Sequence, residues 1–64
     1  MMTTVYVGVD DLNYAMALTK NLNVLHVHEM TDMAGIELHD GQPTDVEEFL
    51  TTLQDAGVAY KEEA

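Results

Sequence analysis

Residues 4 to 9, Thr-Val-Tyr-Val-Gly-Val, alternate strictly: Val5, Val7 and Val9 fall on one face, and Thr4, Tyr6 and Gly8 on the other. A period of two is the mark of a β-strand with one face buried. A chain holding such a strand is committed to a sheet with two unlike faces. The remaining elements have to cover the valine side and leave the other side to water or to a partner.

The stretch Asp-Asp-Leu-Asn-Tyr-Ala-Met-Ala-Leu-Thr-Lys-Asn-Leu-Asn follows at residues 10 to 23. Leu12, Ala15, Leu18 and Leu22 recur at spacings of three and four, which predicts a helix with Asp10 or Asp11 as its N-cap and Asn21 and Asn23 near its stop. Asn-Val-Leu-His-Val-His-Glu-Met and Gly-Ile-Glu-Leu-His read as two strands joined by the turn Thr31 to Ala34, and hence as antiparallel neighbours. Asp-Gly-Gln-Pro breaks the chain at residues 40 to 43. Thr44 and Glu47 then form a capping box that opens a second helix. Val46, Phe49, Leu50 and Leu53 give that helix its apolar stripe, and Gly57 gives it a C-cap. Val58 to Glu62 make a short last strand.

The element order is therefore βαββαβ in one domain, residues 1 to 64. Right-handed crossovers turn this order into an α+β fold of the ferredoxin-like, split-βαβ kind: a four-stranded antiparallel sheet with two helices on one face. In that fold strands one and three are central and strands two and four are edges. The second face of the sheet stays open.

All three histidines of the chain are expected on that open face. A four-residue loop sets Met30 opposite Gly35, so that paired residues sum to 65. His28 then faces Glu37, His26 faces His39, and Leu25 and Val27 fall on the core side with Ile36 and Leu38. Tyr6 lies close by on the central strand. Three imidazoles and a carboxylate are suitable ligands for a divalent transition metal such as zinc, nickel or copper, so His26, His28, His39 and Glu37 are the candidate metal site. The competing explanation is interface packing, with imidazole bodies against apolar neighbours and tips against water or Glu37. Tyr6, His26, His28 and Met30 are the interface residues in that case, and clustered imidazoles would loosen such an interface in acid.

Composition narrows the function classes. Twelve acidic residues against two lysines give a formal charge of −10, which repels nucleic-acid phosphates and argues against direct nucleic-acid binding. No apolar run is long enough for a membrane span, and the N-terminal residues lack the pattern of a signal peptide, so a soluble, cytoplasmic protein is expected. There is no cysteine and no arginine. With no nucleophile motif and no phosphate-cradling loop either, an enzyme is the least supported class. At 64 residues the core is small, and oligomerisation is the commonest way to supplement it. Five methionines are a high count for this length; Met30 and Met33 suit either loop and core filling or an adaptable surface.

The strand Val-Tyr-Val-Gly-Val, the polar turn Asp10-Asp11 running into the helix, the Asn-opened second strand, the return strand and a helix ending Leu-Gln-Asp-Ala-Gly-Val together resemble the ACT family of small regulatory ligand-binding domains. The resemblance covers most of the chain. It implies dimers, with a small-molecule ligand near Asp10, Asp11 and Leu12 and the neighbouring subunit's second strand.

Two functions fit these observations. The first is a small non-enzymatic, oligomeric binding or regulatory module, a homodimer that uses its open sheet face. The second is an acidic interaction protein, a phage-type or regulatory inhibitor or nucleic-acid mimic, that covers a basic protein partner. A halophilic source would explain the acidity without any partner.

Overall fold

The computed structural model describes residues 2–19, 22–39 and 43–63. Asn21, expected near the first helix stop, and residues 40–42 of the expected loop lie outside the described residues. The elements are β1 (Met2–Gly8), a 3-10 turn (Val9–Asp11), α1 (Leu12–Ala17), β2 (Val24–Glu29), β3 (Met33–His39), α2 (Pro43–Asp55) and β4 (Tyr60–Glu63). The four strands form one sheet in the order β2-β3-β1-β4, every neighbouring pair antiparallel. The fold is thus α+β, with β1 and β3 central and β2 and β4 at the edges. Among the described residues, no helix is long and apolar enough to cross a membrane.

Alternation in β1 has its expected effect: Val5 and Val7 are almost wholly buried, while Tyr6 is half-buried. Val9 departs from expectation at 36% exposure, because the chain leaves the strand at Gly8 and the 3-10 turn breaks the period of two. One core cluster joins Val5 and Val7 to Ala34, Ile36 and Leu38 of β3, to Leu12 and Ala15 of α1, and to Val46, Phe49, Leu50 and Leu53 of α2. Both helices therefore pack on the same side of the sheet, against the valine face.

The helix ends differ from the sequence expectation in instructive ways. α1 is only six residues long. Asp11 stands at its N-cap without a side-chain capping bond. After Ala17 the chain goes into turns, where the Thr19 hydroxyl donates to the Met16 carbonyl at 2.7 Å, a local bond that competes with helix propagation. Leu18 and Leu22 still pack against the core from those turns. α2 starts at Pro43, so Thr44 sits inside the first turn and is not the N-cap of a Thr44–Glu47 capping box. Proline suits a first helical position because its missing N–H would have no partner there. At the other end Gly57 adopts φ 77°, its amide donates to Gln54 (3.1 Å), and the Val58 amide donates to Leu53 (3.0 Å). These two bonds make a Schellman motif, and they turn Val58 back onto the core. The last strand starts at Tyr60, two residues later than expected.

The β2–β3 pairing corrects the expected register. His26 pairs with Glu37, Val27 with Ile36, His28 with Gly35 and Glu29 with Ala34, so partners sum to 63 and not to 65. The loop is shorter than the sequence suggests: the Met30 amide donates to the Met33 carbonyl at 2.8 Å, leaving only Thr31 and Asp32 between them. Two further ties hold that geometry. The Asp32 carbonyl accepts from the Val9 amide (3.2 Å), and Ala34 is fully buried opposite Val7. Because the slip is an even number of residues, the histidines stay on the open face.

A second irregularity moves Leu25. Val24 and Val27 both pack against the core, yet they are three residues apart, which a regular strand of period two does not allow. The pairing shifts between Val24, opposite Leu38, and His26, opposite Glu37, leaving Leu25 as the extra residue of a β-bulge. Leu25 is 49% exposed and is not the core residue expected from strict alternation.

Candidate functional site

The open face carries one side chain set from each strand. Across its middle runs the row His28, Gly35, Tyr6, Lys61, and beside it the row His26, Glu37, Thr4, Glu63. Gly35 explains how Tyr6 lies: a Cβ built on this glycine would come within 2.9 Å of Tyr6 Cε1 and 3.2 Å of Cδ1. The tyrosine ring thus rests on the bare backbone of β3. A glycine inside a strand commonly marks such a close approach, and that signal was present in the sequence.

Beside the ring, His28 Nε2 and Glu37 Oε1 are 2.6 Å apart, a diagonal contact between adjacent rows. The carboxylate accepts and the imidazole N–H donates. His26 packs edge-on against His28, ring centroids 4.2 Å apart at an interplanar angle of 62°. Both histidines are exposed. Toward the other edge, Tyr6 pairs with Lys61 and interacts diagonally with Glu63 of the neighbouring row. Desolvation of the phenol, then the charge of Glu63 and a hydrogen bond to it, and lastly the charge of Glu37, raise the Tyr6 pKa above its ordinary 10.0. Lys61 lies 3.9 Å from the Glu63 carboxylate, both well exposed, a contact of little energetic weight. Glu63 was not singled out in the sequence, since the last strand was expected to end at Glu62, whereas it runs to Glu63.

The expected metal set is brought together only in part. His26, His28 and Glu37 adjoin one another, but the pairings differ: Glu37 stands directly opposite His26, and His28 opposite Gly35. His39 is opposite Met2 on β1, with its amide donating to the Asn23 carbonyl at 3.1 Å, and is not opposite His26. Among the described residues, no group of three or more His, Asp or Glu side chains is arranged to hold a metal ion. Of the expected interface residues, Tyr6, His26 and His28 share the open face, and Met30, 45% exposed, follows β2 at the hairpin end.

The three residues implied by the family resemblance lie elsewhere. Asp10 is exposed, Asp11 is half-buried with its carboxylate turned toward Gly8, and Leu12 is part of the core. Two shallow depressions flank β4. One, of about 300 Å³, lies beneath Tyr6, Gly8, Met33 and Lys61; the other, of about 600 Å³, lies between α2 and the strand and is lined by Val46, Leu50, Tyr60, Glu47 and Glu62. Neither is lined by Asp10, Asp11 or Leu12.

No protein-family model matches the chain, and searches of curated proteins and of solved structures give no match to it.

Proposed function

We propose that this chain is a small non-enzymatic binding and regulatory module of ferredoxin-like architecture that works in the cytoplasm as a homodimer, pairing through the open face of its sheet. The observation that carries the proposal is the composition of that face. Tyr6, seated on Gly35, shares that face with Met33 (37% exposed), which lines the same depression, and with the exposed imidazoles of His26 and His28 on the edge strand. Aromatic and methionine side chains are enriched on surfaces that pair, and a domain of this size has a small core to supplement. The ACT resemblance supports the same reading, since domains of that kind act as dimers that take a small ligand.

The test is the mass in solution of chelator-treated, untagged protein, measured by sedimentation alongside Met33→Glu. That substitution sets a new carboxylate at an exposed position of the face. A dimer that becomes a monomer in Met33→Glu supports the proposal. A wild-type monomer, or a dimer indifferent to the substitution, rejects it.

A second reading has an observation of its own. Asp45, Glu47, Glu48 and Asp55 are all exposed on α2, and Lys61 is the one cation among the described residues. This exposed acidity supports the alternative of an acidic interaction protein that covers a basic partner, which predicts capture that weakens steeply with salt.

A further inference from the structure

We propose that His26 and His28 form half of a metal site, and that a second copy of the chain completes it by supplying the same two side chains to one divalent cation of the zinc type. This rests on the proposal that a second copy covers the open face.

The argument begins with tautomers. A carboxylate only accepts, so in the 2.6 Å contact with Glu37 the proton of a neutral His28 sits on Nε2. Nδ1 then keeps its lone pair, the form of imidazole that binds metal. A carboxylate holding the far nitrogen of a histidine is the usual outer partner of a metal-bound imidazole. Glu37 therefore orients a ligand and is not itself one of the ligands.

His26 supplies the second donor. Its ring centroid is 4.2 Å from that of His28, while two imidazoles sharing a tetrahedral zinc have centroids roughly 5 Å apart. The rings need to separate by less than an ångström, and both are exposed at the surface. Regular strand geometry would hold the i and i+2 side chains parallel, yet here they already converge.

Two donors fill only half of a tetrahedral shell, and among the described residues no larger ligand group exists. A second copy laid on the open face about a two-fold axis passing over β2 solves this, because His26 and His28 are exposed there and β2, an edge strand, is flanked on one side only. The same axis brings together two chains each carrying a formal charge of −10. A cation at the junction offsets part of that repulsion, and the acidic field concentrates cations there beforehand.

The test uses zinc chloride with chelator-treated, untagged protein, read by native mass spectrometry and by titration calorimetry. The expected result is one zinc per two chains. Binding is lost in both His26→Ala and His28→Ala, weakened about 10- to 100-fold in Glu37→Gln, and unchanged in His39→Ala. The substituted side chains are exposed or partly exposed, and circular dichroism checks that each variant folds. One zinc per monomer, no zinc, or binding that survives loss of either histidine overturns the proposal. Chelator-treated protein that is dimeric but takes no zinc sinks this inference alone. A chelator-treated monomer that dimerises only with zinc sinks instead the claim that the face pairs by itself.

Discussion

Gly57 offers a clean measurement of what one backbone torsion contributes to this fold. At φ 77° it ends α2 in the left-handed region, and both bonds of the Schellman motif depend on that torsion. A Cβ added here meets nothing within 4 Å, so substitution by alanine changes backbone preference and almost nothing else. An L-residue in this conformation costs about 1–2 kcal/mol. Losing glycine's freedom in the unfolded chain returns about 0.4–1 kcal/mol. The net destabilisation of Gly57→Ala is then about 1 kcal/mol, a fall in Tm of about 4–8 °C for a domain of this size. A chain of 64 residues is within reach of chemical synthesis, which allows D-alanine at the same position. The D-residue prefers positive φ, keeps both hydrogen bonds and gains the unfolded-state term, so it should melt above the wild type. The assay is thermal and urea unfolding followed by circular dichroism on the three proteins side by side. Equal stability of the L- and D-alanine proteins would refute the reasoning, because nothing but the sign of φ separates them.

Two further outcomes follow from the core and from the open face. Ile36 is fully buried at the centre of β3. Ile36→Val should cost about 0.5–1.5 kcal/mol and leave a folded protein, whereas Ile36→Ala should cost about 2–5 kcal/mol. The larger figure matches the whole stability of about 3–5 kcal/mol that such a small core supplies, so the alanine variant should be unfolded by circular dichroism. A wild-type urea midpoint for Ile36→Ala would contradict this. The phenol of Tyr6 should titrate above 10.0, resolved by subtracting the Tyr6→Phe absorbance curve, and should move back toward 10.0 in Glu63→Gln. The sign for stability follows from proton binding: above 10.0 the unfolded chain releases the Tyr6 proton first, so the folded state holds more protons and stability falls as pH rises through the folded pKa. Wild type and Tyr6→Phe with parallel pH–stability curves in this range would rule that out.

What the sequence made legible, and what it did not, divides along one physical line. Parity was legible: Val5 and Val7 against Tyr6, Ile36 and Leu38 against Glu37, and Val46, Phe49, Leu50 and Leu53 along α2 all fall where the periods of 2 and 3.6 put them. These periods are enforced by burial, and burial is written into residue type. Register was not legible, because a slip of two residues preserves parity and leaves no trace in the hydrophobic pattern. The choice between sums of 65 and 63 was made by a two-residue loop, by the Val9–Asp32 backbone bond and by the burial of Ala34, a residue small enough to read as loop. The bulge at Leu25 was readable in hindsight from Val24 and Val27, two valines at an odd spacing in one strand. Nothing but packing decides which of Val24 and Leu25 turns inward. The consequence falls directly on the site. With the expected register, His26 and His39 would face each other and a single chain would hold three imidazoles. With the observed one, Glu37 takes the place opposite His26, His28 keeps its carboxylate partner only as a diagonal contact, and His39 moves beside Met2. A two-residue slip thus converts a self-sufficient ligand cluster into a two-donor half-site, which is why the number of zinc ions per chain, and not the mere fact of binding, is the quantity that separates the two arrangements.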